Sequence, residues 1–201
     1  MDWLLHHATE ILAVIFSLIY LVFSIKQNIL LWPFGIISVL LYIYVYFVSA
    51  FYADMVLQFF YLIMSIYGWY NWKFGYNKPG KKELQIININ KNQLFFYSAI
   101  FFIIWLSFFY MLTYIPPALH INPSAFPVWD AFTTAGGIVG TWMLAKKIIE
   151  HWIVWIVVDA VAIILYLSKA LYPTTLLFLV FTIMAIIGYI EWKKELAKIK
   201  A

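Results

Sequence analysis

Two stretches decide how this chain is read: Trp32–Lys73 (WPFGIISVLLYIYVYFVSAFYADMVLQFFYLIMSIYGWYNWK) and Trp152–Lys193 (WIVWIVVDAVAIILYLSKALYPTTLLFLVFTIMAIIGYIEWK). Laid over one another at an offset of 120 residues, without a gap, they agree at 13 of 42 positions. Trp32/Trp152, Tyr46/Tyr166, Gly68/Gly188, Trp72/Trp192 and Lys73/Lys193 are among the identities, and Lys26/Lys146 extends the register upstream. Tryptophan and glycine number only 10 and 8 in 201 residues, so their coincidence marks a duplicated unit rather than a shared apolar composition.

Both copies are too apolar for water. A bilayer core of about 30 Å is crossed by about 20 apolar residues in a helix. Seven stretches meet that length: 8–25, 29–48, 52–72, 93–113, 127–146, 151–168 and 173–192. The whole chain is 66% hydrophobic, 21% aromatic and 11% charged. A soluble domain is about 45–50% apolar and about 25% charged. A water-soluble enzyme, a disordered chain and a nucleic-acid-binding protein are excluded, and the predicted fold class is an all-α integral membrane protein in a lipid bilayer.

The repeat orders these helices into a single transmembrane domain over 1–201. Repeat one spans 8–72, a loop 73–92, a linker helix 93–113, repeat two 127–192 and a tail 193–201. Helix four is the odd one. It makes the two three-helix repeats parallel, a 3+1+3 arrangement of seven transmembrane helices. Parallel repeats about an axis along the membrane normal are a transporter architecture, with the solute site at the repeat interface. Twelve of the 13 lysines follow helices one, three, five and seven, and Lys169 stands alone on the other side. By the positive-inside rule the N-terminus is outside and the C-terminus cytoplasmic. The segment from Met1 to His7 lacks a basic n-region and is read as mature sequence.

Ionisable and polar residues within the apolar stretches are expensive and therefore informative. On helix three Asp54, Gln58, Tyr61, Ser65, Gly68 and Trp72 recur at steps of three and four, on one face. Helix five repeats this with Asp130, Thr134, Gly137 and Thr141. Helix six offers Trp152, Trp155, Asp159, Ala162 and Tyr166, and helix two Ser38, Tyr42 and Tyr46. Gly136, Gly137 and Gly140 read as helix-packing positions. Asp54 and Asp130 sit at outer helix ends, as caps or charges at the mouth. Trp3, Trp32, Trp72, Trp129 and Trp192, near helix ends, are expected to be interfacial anchors.

Asp159 stands out. It lies about 12 Å into its helix at about 1.5 Å per residue, where a carboxylate costs at least about 2.5–3.5 kcal/mol. Its partner in the repeat is Val39, so the fold does not require it. Trp155 is one turn earlier on the same face. An aromatic plane beside a carboxylate suits a flat, cationic heteroaromatic ring. Gln58, entering from the other side of the membrane, can donate to and accept from a hydroxyl or amide. A structural Asp159, bonded to a neighbouring indole or hydroxyl, is the competing account. With no cysteine and no His-Glu-x-x-His spacing, no metal is expected, and no cofactor; a P-loop is absent from the sequence as well.

Several segments resemble the PnuC-type vitamin transporters: Trp32-Pro-Phe-Gly-Ile-Ile, Phe51 through Gln58, and Tyr67-Gly-Trp-Tyr-Asn-Trp72 in the first half. Thr141-Trp-Met-Leu-Ala-Lys-Lys, Glu150 through Asp159 and Leu165 through Tyr172 carry it in the second. The resemblance implies a seven-helix fold related to the sugar-transporting SWEET proteins, in the cytoplasmic membrane of a bacterium. It implies facilitated diffusion of nicotinamide riboside, thiamine or riboflavin, with a cytoplasmic vitamin kinase trapping the solute by phosphorylation. It places Gln58, Trp155 and Asp159 in the central site, with Tyr61, Thr134, Thr141 and Trp142 beside them and Tyr42 and Tyr166 from the polar stripes. Phe178 stands where Gln58 has its partner in the repeat, so the site is expected to be asymmetric. The residues themselves favour a cationic ring bearing hydroxyls, nicotinamide riboside before thiamine, and neutral riboflavin third. A seven-helix sensor or receptor is the alternative of another class, and a homo-oligomer is compatible with everything above.

Overall fold

The computed structural model describes residues 2–49, 52–75, 84–118 and 124–200. Seven helices lie among them: α1 (Asp2–Ile25), α2 (Leu31–Val48), α3 (Tyr52–Phe74), α4 (Lys91–Ala118), α5 (Pro127–Ala145), α6 (His151–Ser168) and α7 (Tyr172–Lys200). Helices are what an apolar chain forms in lipid, because each satisfies its own backbone. Among the described residues five are long and apolar enough to cross a membrane: α1, α2, α4, α6 and α7. The polar stripes read in α3 and α5 are what hold those two apart from the others. The turn at Ala50-Phe51, the loop lysines Lys78, Lys81 and Lys82 around Pro79-Gly80, and Asn122-Pro123 lie outside the described residues.

Three helices are clearly longer than the apolar pattern predicted, and α1 begins at Asp2 rather than at residue 8. α4 runs through Pro116-Pro117 to Ala118, because the pair removes amide donors only from the final turn. The expected tail at 193–201 is instead helical as far as Lys200. Glu191 and Lys194, then Glu195 and Lys198, pair along its surface at 2.7 and 3.1 Å.

The chain divides into two compact units. One comprises residues 1–86 with 144–147, and the other 87–143 with 148–201. In the first, α2 lies against both α1 and α3. Gly35 admits the Tyr20 ring, to which an added Cβ would come within 2.9 Å. The Ser38 hydroxyl bonds to the Ala13 carbonyl at 3.0 Å and to Ser17 Oγ at 2.8 Å. Ser38 is thus interhelical glue in the manner of membrane bundles. Trp32 is fully buried on Gly68 of α3 and meets Trp72 edge to face, with ring centroids 5.6 Å apart.

The second unit builds the same contact from the other copy. Trp152 is buried on Gly188 of α7 and meets Trp192 edge to face at 5.8 Å. His151 fills the space beside them, with ring centroids 4.5 Å from Trp152 and 4.8 Å from Trp192. α4 is held to α5 by Phe101 on Phe132 and by the Trp105 indole N–H, which donates to the Val128 carbonyl at 2.9 Å. The anchor reading of Trp32, Trp72 and Trp192 is therefore corrected. All three are buried: Gly68 leaves room for the Trp32 indole, while Trp72 and Trp192 pack edge to face on Trp32 and Trp152. Trp129 alone, 48% exposed, keeps the character of an anchor; the Trp3 side chain lies outside the described residues.

The turns repeat as well. Gln27 and Lys147 both take φ of 53°, and Ala170 takes 56°. After Gln27 the amide of Asn28 donates to Phe23, and Gln27 to Ser24. After Lys147 the amide of Ile148 donates to Met143, and Lys147 to Leu144. Ala170 closes α6 identically, with Leu171 donating to Tyr166 and Ala170 to Leu167. All three are the Schellman ending, whose left-handed residue is usually glycine.

Two outcomes test this packing. Gly188→Ala places a methyl 2.5 Å from Trp152 Cζ2. It should cost about 1–3 kcal/mol of overpacking, read as a fall in thermal midpoint in detergent, with Trp152→Phe in the same chain recovering part of it. Ala170→Gly relieves a left-handed alanine and should raise the midpoint, by about 1 kcal/mol of stability.

Candidate functional site

Within the second unit the candidates lie along α5 and α6. Asp159 is 3% exposed, and among the described residues it has neither a hydrogen bond nor an ion pair. The competing account, a carboxylate bonded to a nearby indole or hydroxyl, finds no bond to support it. Trp155, one turn before, is half-buried and rests its indole on α5 at Gly140, where an added Cβ would stand 3.2 Å from Trp155 Nε1. Gly136 does the same for Val158. These two glycines are packing positions, as read, and Gly140 also fixes the ring beside Asp159. Nothing in the sequence tied Gly140 to Trp155, since contact between two helices has no spacing signature.

The hydroxyls on α5 are already engaged. Thr134 Oγ1 donates to the Asp130 carbonyl and Thr141 Oγ1 to the Gly137 carbonyl, each at 2.8 Å. Each hydroxyl proton is spent on its own helix, so either can only accept from a solute. Trp142 is in different company. It packs edge to face on Phe96 and Tyr97 of α4, both with centroids 5.8 Å away, beside the core of Val139, Met143 and Ile148. Tyr166 stacks on Phe178 of α7 at 5.1 Å, seven residues beyond Asp159.

In the first unit Gln58 and Tyr61 lie on α3, both half-buried, and the Tyr61 ring meets Phe60 edge to face at 5.7 Å. Tyr42 stacks on Tyr46 along α2. The rest of the α3 stripe has other duties. Gly68 and Trp72 pack against Trp32, while Asn71 Nδ2 and Trp72 Nε1 donate to the carbonyls of Ala145 and Leu144. Asp54 is exposed at the start of α3.

At the Asp130 end of the second unit the structure assembles a cluster that the sequence only half showed. Lys169 Nζ lies 3.7 Å from Asp130 Oδ1, and Ser124 donates to the other carboxylate oxygen. A cleft of about 460 Å³ bounded by α4, α5 and α6 contains neither Trp155 nor Asp159. Its lining is aromatic and aliphatic apart from Tyr97, Ser98 and Glu150, and Glu150 is taken up by Asn88 and the amide of Ile89. A polar solute finds little there.

A multi-pass helical membrane protein that keeps an unpaired carboxylate beside an indole, in apolar surroundings, has the makings of a carrier for a small cationic solute. The comparisons show a transporter: the chain belongs to the family described as nicotinamide mononucleotide transporters, whose pattern matches residues 7–194. It is a membrane transporter and not an enzyme. The nicotinamide riboside transporter PnuC of Escherichia coli (strain K12) is 25% identical over 179 residues, covering 79% of this chain and 74% of that protein. The same-named protein of Shigella flexneri matches equally. A crystal structure of the vitamin B3 transporter PnuC superposes with a TM-score of 0.67 at 26% identity, covering 91% of this chain and 79% of that one.

An unpaired buried carboxylate destabilises its own fold. Asp159→Val, which installs the residue found at position 39, should therefore raise the thermal midpoint, by about 1–3 kcal/mol of stability. A bonded, structural Asp159 would give the opposite sign.

Proposed function

We propose that this protein imports nicotinamide riboside across the bacterial cytoplasmic membrane. Asp159, buried without a partner next to Trp155, is the observation that carries the reading. The pyridinium ring of nicotinamide riboside is flat and cationic; it stacks on Trp155, and the carboxylate offsets its charge. Gln58, Tyr61 and Tyr42 are the first unit's candidates for the ribose hydroxyls. Thr134 and Thr141 accept hydrogen bonds from the solute, and Tyr166 adds an aromatic surface towards the outer end. Trp142 acts at a distance, by seating α5 against α4. The two similar proteins, both nicotinamide riboside transporters, support this solute.

The architecture we assign is two parallel three-helix repeats, α1–α3 and α5–α7, joined by α4. Equal offsets support it: α2 and α6 start and stop 120 residues apart, and so do the Schellman turns at Gln27 and Lys147 and the Trp–Gly contacts. α3 and α5 then cross the membrane with the other five helices. The N-terminus is outside and the C-terminus in the cytoplasm, as the lysines require. Transport is facilitated diffusion, and phosphorylation by a cytoplasmic vitamin kinase makes it one-way. Thiamine, which also joins a cationic ring to a hydroxyl, is the second reading on the same residues.

Calorimetry on the purified protein tests this. Nicotinamide riboside should bind, Asp159→Ala should weaken binding tenfold or more, and Trp155→Ala should cost about 0.5–2 kcal/mol of stacking and cation–π energy. Thiamine binding alone would change the solute and keep the site. Binding of neither would refute the vitamin reading. Uptake into proteoliposomes should also ignore an imposed pH gradient.

A further inference from the structure

Twelve lysines lie on the cytoplasmic side of the proposed topology and one, Lys169, on the outer side. It directly follows α6, at the end of the helix that carries Trp155 and Asp159. A bare ammonium there would repel the solute that those two residues are placed to receive. The structure does not leave it bare. The Asp130 carboxylate stands 3.7 Å from Lys169 Nζ, and the rings of Phe126 and Tyr166 lie 5.7 and 5.9 Å from the same nitrogen. The carboxylate is itself positioned. Ser124 Oγ donates to Oδ2 and in turn accepts the Phe126 amide at 3.1 Å, so the short turn before α5 both carries the ring and holds the acid at the start of that helix. Lys169 and Asp130 side chains remain 33% and 30% exposed, so the pair faces whatever approaches.

The repeat argues against a purely structural origin. The partners of Asp130 and Lys169 at the 120-residue offset are Glu10 and Ser49. The first copy of the repeat therefore carries no cation at this position. Exposed pairs also contribute little to stability, with a median of about 0–1 kcal/mol.

We infer that Asp130 masks Lys169, so that the outer end of the second unit admits a cationic solute; this rests on the nicotinamide riboside reading and its topology. Asp130 acts through Lys169 and is a positioning residue, without contact to the reacting or bound solute. Charges near a mouth set arrival rates by tenfold or more, and salt suppresses the effect.

The test is initial uptake of nicotinamide riboside into proteoliposomes at low and high ionic strength. Asp130→Asn should slow uptake about tenfold at low salt through the apparent KM, with kcat little changed. The deficit should shrink at high salt. Asp130→Asn combined with Lys169→Gln should restore uptake, and Lys169→Gln alone should match or exceed the unsubstituted chain. An unchanged Asp130→Asn, a deficit indifferent to salt, or a double variant as slow as the single one overturns the masking role. A merely structural acid would give the last of these. If the unsubstituted chain takes up no nicotinamide riboside, the functional reading itself fails and this inference with it.

Discussion

The contact between an indole and a glycine on the neighbouring helix sets the rest of the structure. In lipid there is no hydrophobic drive to bring helices together, so close packing must do it. A tryptophan ring can lie flat on a helix only where that helix lacks a side chain. Gly68 and Gly188 provide the gap, and Trp32 and Trp152 fill it completely. With those rings fixed, α2 has its place on α3, and α6 has its place on α7. Trp155 and Asp159 follow on α6 one and two turns later, so their positions derive from a contact they do not make.

How far a sequence discloses such a structure depends on which residues are scarce. Helix bounds at Ile25, Val48 and Ser168 follow from the apolar runs, because the bilayer fixes a length. The repeat was visible because tryptophan and glycine are rare enough for coincidence to carry meaning. What those tryptophans do was misread. Proximity to a helix end suggested anchors at the membrane surface, and only the contacts between helices, indole on glycine and indole on indole, show that they are interior. Several helix ends also escaped: residues 193–200, for instance, continue α7 because alternating charge pairs support a helix as well as apolar residues do.

The candidate site was legible in part for the same reason. A lone carboxylate deep in an apolar helix needs no structure to be noticed, and its lack of a hydrogen bond strengthens the reading. Thr134 and Thr141 were correctly seen as polar positions on one helix, but their hydroxyls prove to be turned to their own backbone. Trp142 shared a motif with Thr141 and yet packs with Phe96 and Tyr97. Adjacent residues on a helix point about 100° apart, so membership of one motif does not confer one direction.

The two copies of the indole–glycine unit share a polypeptide, and this has an evolutionary consequence. Were the protein an assembly of two identical half-length chains, any carboxylate acquired one turn beyond the Trp155 position would arrive twice, and both copies would have to be buried. Covalent fusion removes that penalty. One half can keep valine at position 39 while the other takes aspartate at 159, and glutamine can stand at 58 while phenylalanine stands at 178. Duplication thus conserves the scaffold and leaves each half free to specialise, so that a symmetric ancestor could acquire a receptor for a molecule that has no symmetry of its own.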